Sequence, residues 1–258
     1  MTVTHTEHIS IEVSAPVAHI TLRNSTVNVI DIPMMAELSS TLADLEMRSD
    51  ISIIIFQGAG KSFSSGVDVA EHTLSRVSAM LDNFHKLIRA LVASRKITIA
   101  AVRGHCLGGG AELAMICDIV ITTDDATWGF PEITLGCYPP VAVTALSALI
   151  GQKRAAEVIL TGRTISGADA AQIGLATEAV PEDRLEETVT LTVKRLQNLS
   201  PAALGITKKS LYVWDSIHFD KGLARAEKIY VEELMKTEDS QEGIRAFLEK
   251  RNPEWKGR

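Results

Sequence analysis

Two glutamates and a run of glycines carry the chemistry of this chain. Gly108, Gly109 and Gly110 follow an apolar segment, and Glu112 stands two residues after the last of them. Glu132 comes twenty residues later, directly after Pro131. Glycines at a helix start leave backbone N–H groups bare, and such groups suit an oxygen that gains negative charge. A carboxylate among Ala111, Leu113, Ala114 and Met115 is costly to bury without a partner or a task. Two carboxylates at one apolar pocket can divide acid and base work, one holding a proton while the other stays ionised. Each feature alone has a plainer explanation: a tight turn, a carboxylate on a helix dipole, an acid in the first turn of the next helical segment. Together they point to an acid/base enzyme that stabilises an oxyanion.

A second loop adds to this. Residues 58–66 are rich in Gly and Ser and lead into Ser64-Ser65-Gly66-Val67-Asp68. The backbone N–H of Ser65 is expected to face that of Gly109, so that two donors converge on one oxygen. Other chemistries fit poorly. No GK[ST] follows the glycines, the spacing is not GxGxxG, and no GxSxG surrounds a serine. His105 reads as a packed loop histidine rather than a member of a triad.

These groups need a scaffold, and the pattern supplies one. Residues 8–13 and 17–22 alternate or run apolar on either side of Ala15-Pro16, as a hairpin does. Residues 53–56, 97–102 and 116–122 are near-continuous apolar runs, suited to strands buried on both faces. Residues 32–45 and 77–93 show helical periodicity. Strand and helix in alternation predict an α/β fold with mostly parallel pairing. Beyond Pro139-Pro140 the chain turns helical, with short helices expected at 143–149, 153–160 and 167–173. Longer ones are expected at 184–196, 202–213, 222–235 and 240–250. A core of residues 1–199 and a helical region of residues 200–258 follow from this division.

Composition narrows the classes. A chain of 258 residues with 46% hydrophobic and 22% charged residues can bury a sizeable core. A net charge of −6 argues against nucleic acid as the main partner. Cys106, Cys117 and Cys137 lack metal-ligand or CxxC spacing and read as reduced thiols of a cytoplasmic protein. The polar start MTVTHTEHIS and the lack of a long apolar run predict neither export nor membrane insertion.

The motifs together resemble the enoyl-CoA hydratase/isomerase, or crotonase, superfamily. The likeness is carried by KSFSSGVD at residues 61–68, IAAVRGHCLGGGAELAMICDIVI at 99–121 and PEITLG at 131–136. LTGRTISGADAAQIGLATEAVP at 160–181 and FLEKRNPEWKGR at 247–258 extend it over nearly the whole chain. The resemblance implies an α/β spiral of ββα repeats with a C-terminal helical trimerisation region. It also implies a homotrimer, or a hexamer formed as a dimer of trimers, an acyl-CoA substrate, and no metal or other cofactor. The oxyanion donors map onto Ser65 and Gly109, and the two hydratase glutamates onto Glu112 and Glu132. Ser64, Asp68 and Gly108 fall in the substrate-binding region, and basic residues such as Lys250 are candidates for the CoA phosphates. RNA-binding relatives carry a Lys-rich helix, where this chain has only Lys86 and Arg89 in residues 77–93.

One stretch departs from the common hydratase pattern. Gly136-Cys137-Tyr138-Pro139-Pro140-Val141 replaces a glycine-rich segment, and Tyr138, Pro139 and Val141 are expected to line the pocket. This stretch and VNVIDIPMMAEL at residues 27–38 resemble the cyclohexa-1,5-diene-1-carbonyl-CoA hydratases. The implied reaction is water addition to that dienoyl thioester, giving 6-hydroxycyclohex-1-ene-1-carbonyl-CoA. A general short-chain enoyl-CoA hydratase and an enoyl-CoA isomerase are the alternatives.

Overall fold

The computed structural model describes residues 2–258, apart from the side chains of residues 213–217. The chain opens with β1 (Thr2–His5), β2 (Ile9–Ser14), β3 (Val17–Leu22), α1 (Ile32–Met47), β4 (Ile53–Gly58) and α2 (Val77–Ala93). It continues through β5 (Ile97–Val102), β6 (His105–Leu107), α3 (Gly109–Met115), β7 (Ile119–Thr123) and β8 (Thr127–Gly129). Then come α4 (Pro140–Ile150), α5 (Gln152–Thr161), β9 (Thr164–Ser166), α6 (Gly167–Gln172) and β10 (Glu178–Val180). Three helices end the chain: α7 (Leu185–Gln197), α8 (Pro201–Glu232) and α9 (Glu238–Leu248).

One sheet runs in the order β1-β2-β3-β4-β5-β7-β10. Its pairings from β3 onward are parallel, and β1, β2 and β3 pair antiparallel. All six residues of β5 are buried, as the continuous apolar run requires. A second sheet of three-residue strands, β6-β8-β9, is too short to show a period in the sequence. β7 starts at Ile119 rather than at residue 116, because Ile116 still caps α3.

Helix ends follow local chemistry. Asp31 caps α1, its carboxylate accepting from the Met34 N–H at 2.8 Å. Ser200 caps α8, and Pro201 opens that helix, where a missing N–H costs nothing. The sequence predicts two helices here, with the second beginning at Gly222. Instead α8 runs unbroken. Gly222 marks a close approach, since a methyl group there would meet Thr144 Cγ2 of α4 at 2.8 Å. Polar ties fasten α8 to the core: Lys208 Nζ to Asp118 Oδ2 at 2.7 Å, and His85 Nδ1 to Glu227 Oε2 at 3.1 Å.

Asn28 fixes the loop that approaches the glycine run. It is buried with φ 54°, and its Nδ2 donates to Ala59 O at 2.9 Å and Ser62 O at 2.8 Å. Its carbonyl accepts from Ser64 Oγ at 2.7 Å. Asn28→Ala leaves two carbonyls without that donor, a loss of about 1–3 kcal/mol. We expect a lower thermal midpoint by calorimetry; an unchanged midpoint would show that the loop is held by other means.

Candidate active site

Glu112 lies in the first turn of α3 and is buried. Its Oε1 accepts the Ala142 N–H at 2.9 Å, and the Val141 N–H also supports it. Both donors belong to the first turn of α4. Pro140 occupies the first position of that helix, so the positive end of α4 is aimed at Glu112. Burial pushes the Glu112 carboxyl up to about 7, against the pull of these two N–H groups.

Glu132 sits in the 3-10 turn Pro131–Leu135. The residue as a whole keeps some surface, but its Oε2 is buried and has no hydrogen-bond partner among the described residues. Its Oε1 lies over Gly108, where a methyl group would come within 2.7 Å of it. Gly108 has φ +50°, so glycine is required there for both conformation and space. Burial, followed by the charge of Glu112, raises the Glu132 carboxyl well above the ordinary range. The two buried carboxyls therefore titrate as a pair, both above the ordinary carboxylate range.

The backbone donors differ in part from the expectation. Gly109 opens α3, so its N–H has no acceptor within the helix. The Ser65 N–H, by contrast, donates to Val27 O at 2.9 Å and is already committed. The N–H beside Gly109 is that of Val67, which has no acceptor among the described residues. A methyl group on Gly109 would lie 3.5 Å from Val67 N, and one on Gly66 would lie 3.4 Å from Gly109 N. The donor pair the structure offers is thus Val67 and Gly109. In the sequence, KSFSSGVD gives no sign of which amide stays unpaired, because Val27 lies far upstream.

Four expected binding residues also change their roles. Ser64 is fully buried; its hydroxyl donates to Asn28 O and accepts the Gly66 N–H at 3.0 Å, which leaves nothing for a ligand. Asp68 caps the turn Val69–His72 through Oδ1, which accepts the Ala70 N–H at 2.9 Å. Val141 is fully buried and contributes its N–H to Glu112 rather than a wall to an open pocket. Pro139 is buried too and caps α4. Tyr138 is half-buried, and its Oη donates to Ala226 O of α8 at 2.6 Å. Lys250 is exposed just beyond α9, and His105 is exposed on β6.

A cavity of about 850 Å³ opens between α4, α5 and α8, lined by residues such as Met115, Tyr138, Leu149, Leu160 and Phe219. Neither glutamate lines it. Its lining is mostly apolar but includes Arg225 and the Asp118–Lys208 pair, joined at 2.7 Å. Among the described residues, no group of three or more His, Cys, Asp or Glu is placed to hold a metal ion. No helix among them is long and apolar enough to cross a membrane.

The chain is similar to known proteins over nearly its whole length. The family described as Enoyl-CoA hydratase/isomerase matches residues 12–258. The "Probable enoyl-CoA hydratase echA8" of Mycobacterium tuberculosis (strain CDC 1551 / Oshkosh) is 36% identical over 252 residues, covering 96% of this chain and 98% of that protein. The cyclohexa-1,5-dienecarbonyl-CoA hydratase of Thauera aromatica is 32% identical over 231 residues, covering 90% and 89%. An enoyl-CoA hydratase structure from Mycobacterium avium subsp. paratuberculosis K-10 superposes with a TM-score of 0.88 at 24% identity, covering 97% and 99%. That last likeness speaks for the fold.

Proposed function

The chain belongs to the enoyl-CoA hydratase/isomerase family, and from that premise we propose that it hydrates a conjugated acyl-CoA thioester through Glu112 and Glu132. An enzyme of the hydratase type is what the family and its relatives establish. The observation that carries the site reading is the unequal pair of buried carboxylates, one held by a helix start and one unpartnered over Gly108.

In this reading the thioester oxygen accepts the Val67 and Gly109 N–H groups. Ionised Glu112 takes a proton from water as the water oxygen bonds to the β-carbon. The displaced electron pair moves onto the thioester oxygen, and the two N–H groups stabilise the resulting enolate. Protonated Glu132 then gives its proton to carbon. Conjugation with the thioester already makes the β-carbon electrophilic, so the proposed steps call on no metal or redox cofactor.

The acyl group we propose is cyclohexa-1,5-diene-1-carbonyl. Support comes from the Tyr138-Pro139-Pro140 segment and from the similarity to the Thauera aromatica enzyme. With this substrate the proton arrives at the far end of the diene, a 1,4-addition. The greater identity to the Mycobacterium tuberculosis protein favours a second reading, a general short-chain hydratase. A trimer, or a hexamer of paired trimers, belongs to the same proposal; exposed Leu160, Ile206 and Leu211 on α5 and α8 are apolar surface for such contacts.

The test incubates the protein separately with cyclohexa-1,5-diene-1-carbonyl-CoA and crotonyl-CoA and follows the gain of one water by mass spectrometry. Faster hydration of the diene is the expected result. Preference for crotonyl-CoA would replace the ring substrate with the general reading. No water added to either would overturn both.

A further inference from the structure

The aim of the Glu132 carboxyl depends on the backbone that carries it, because its Oε2 has no hydrogen-bond partner among the described residues. That backbone is the turn Pro131–Leu135, which closes on itself through the Cys137 N–H to Glu132 O at 3.0 Å. Outside the turn lies α9, and the two meet backbone to backbone. A methyl group on Gly136, at φ +68°, would come within 2.8 Å of Asp239 O and 3.1 Å of Ser240 Cα. A methyl group on Gly243 of α9 would overlap Leu135 O. One glycine on each element thus removes the side chain that would hold them apart.

The helix α9 is clamped in turn by residues 252–258, which run back along it. The Asp239 carboxylate accepts two backbone N–H groups, Lys256 at 2.6 Å and Gly257 at 2.8 Å. Arg258 O accepts the Glu238 N–H at 2.8 Å, and Glu242 Oε1 accepts the Glu254 N–H at 3.0 Å. Hydrogen bonds to ionised carboxylates are the strong ones. Trp255 closes the stack: the same methyl group on Gly243 would lie 2.9 Å from Trp255 Cη2. The ring tip, Gly243 and the end of the Glu132 turn therefore converge at one point.

We propose that Asp239 and Trp255 are positioning residues for proton delivery: they strap residues 252–258 onto α9, and α9 holds the turn that sets Glu132 over Gly108. The inference rests on the hydration reading above. In the step served, the Glu132 O–H bond breaks and a C–H bond forms at the enolate carbon. The electron pair left on Glu132 makes a carboxylate. Glu112 faces Glu132 from α3, and Cys137 and Tyr138 follow its own turn. Tyr230 of α8 meets Tyr138 edge-on, with ring centroids 5.1 Å apart. On the α5 side, Arg163 and Glu157 pair with each other, and the α9 carboxylates Asp239 and Glu242 are turned to residues 251–257.

The test measures kcat and KM against pH for Asp239→Asn and Trp255→Ala, with crotonyl-CoA and cyclohexa-1,5-diene-1-carbonyl-CoA as substrates. The asparagine amide sets a donor against one of the two N–H groups and opens the clamp. Trp255 is 49% exposed, so its loss leaves the core intact and carries the test if the first variant folds poorly. Each variant is expected to lose roughly 10- to 100-fold in kcat, the scale of a group misplaced by about 1 Å, with KM little changed. Burial holds the Glu132 carboxyl up, so a loosened turn admits water and moves the basic limb of the kcat profile to lower pH. Native kcat with an unmoved limb in both variants would overturn the proposal. So would a rise in KM alone, which would make residues 252–258 a thioester-binding segment. In a Glu132→Gln background the two substitutions should add no further loss, and additive losses would also overturn it. If Glu132→Gln collapses turnover while both variants stay native, only the strap falls; if Glu132→Gln is fully active, the hydration reading falls first.

Discussion

Glu112→Gln and Glu132→Gln are each expected to cut turnover by roughly 10²–10⁴-fold, the usual contribution of a positioned acid or base. Both variants should fold, and both should melt higher than the parent protein at pH 8. The sign follows from the proton balance. Each carboxyl is raised above its ordinary value of 4.5, Glu112 to about 7 and Glu132 well above that ordinary value. Above the ordinary value, the folded chain therefore binds more protons than the unfolded chain, and stability falls as pH rises through that window. Glutamine keeps the shape and removes the penalty, so the difference in melting should vanish near pH 4. Calorimetry at pH 4 and pH 8, alongside turnover, checks both parts. Near-normal turnover by both variants would remove the glutamates from the mechanism.

The second large effect belongs to the backbone donors. Any side chain at position 109 meets Val67 Cγ2, at 2.6 Å from a methyl group placed there. Val67→Ala removes that atom, and the next contact, Phe84 Cζ at 3.3 Å, is the end of a side chain that must give by a few tenths of an ångström. In that background, Gly109→Pro deletes the N–H, while Gly109→Ala keeps it. Proline is tolerated at the first position of a helix, so the comparison isolates the donor. The expected difference in kcat is roughly 10²–10³-fold in favour of alanine, the cost of one oxyanion donor. Equal rates would mean that the thioester oxygen is not bound at this helix start.

Much of the scaffold was legible because burial and periodicity leave marks in the sequence. The run Ile97–Val102 and the amphipathic pattern Val77–Ala93 mark a doubly buried strand and a helix packed on one face, and both form with those bounds. The juxtaposition of Glu112, Glu132 and the glycines was legible for a similar reason, since few arrangements tolerate carboxylates among apolar residues. What stayed hidden depends on contacts between distant parts of the chain. Which amide of Ser64-Ser65-Gly66-Val67 is unpaired is decided by Val27 O and by the hydroxyl of Ser64 itself. The continuity of α8 was masked because Gly222 looks like a helix boundary, and only its contact with Thr144 explains it. Val141 looks like a pocket wall until Pro140 is seen to start a helix whose N–H groups hold Glu112.

The central claim is that a coupled pair performs the hydration, with Glu112 as base and Glu132 as acid. The measurement that tests it most directly is kcat/KM for hydration from pH 5 to pH 10, because this ratio reports the groups of the free enzyme. The account predicts a rise as Glu112 ionises near pH 7, then a fall at higher pH as Glu132 loses its proton. A profile that is flat across this range, or that falls through pH 7, would contradict it.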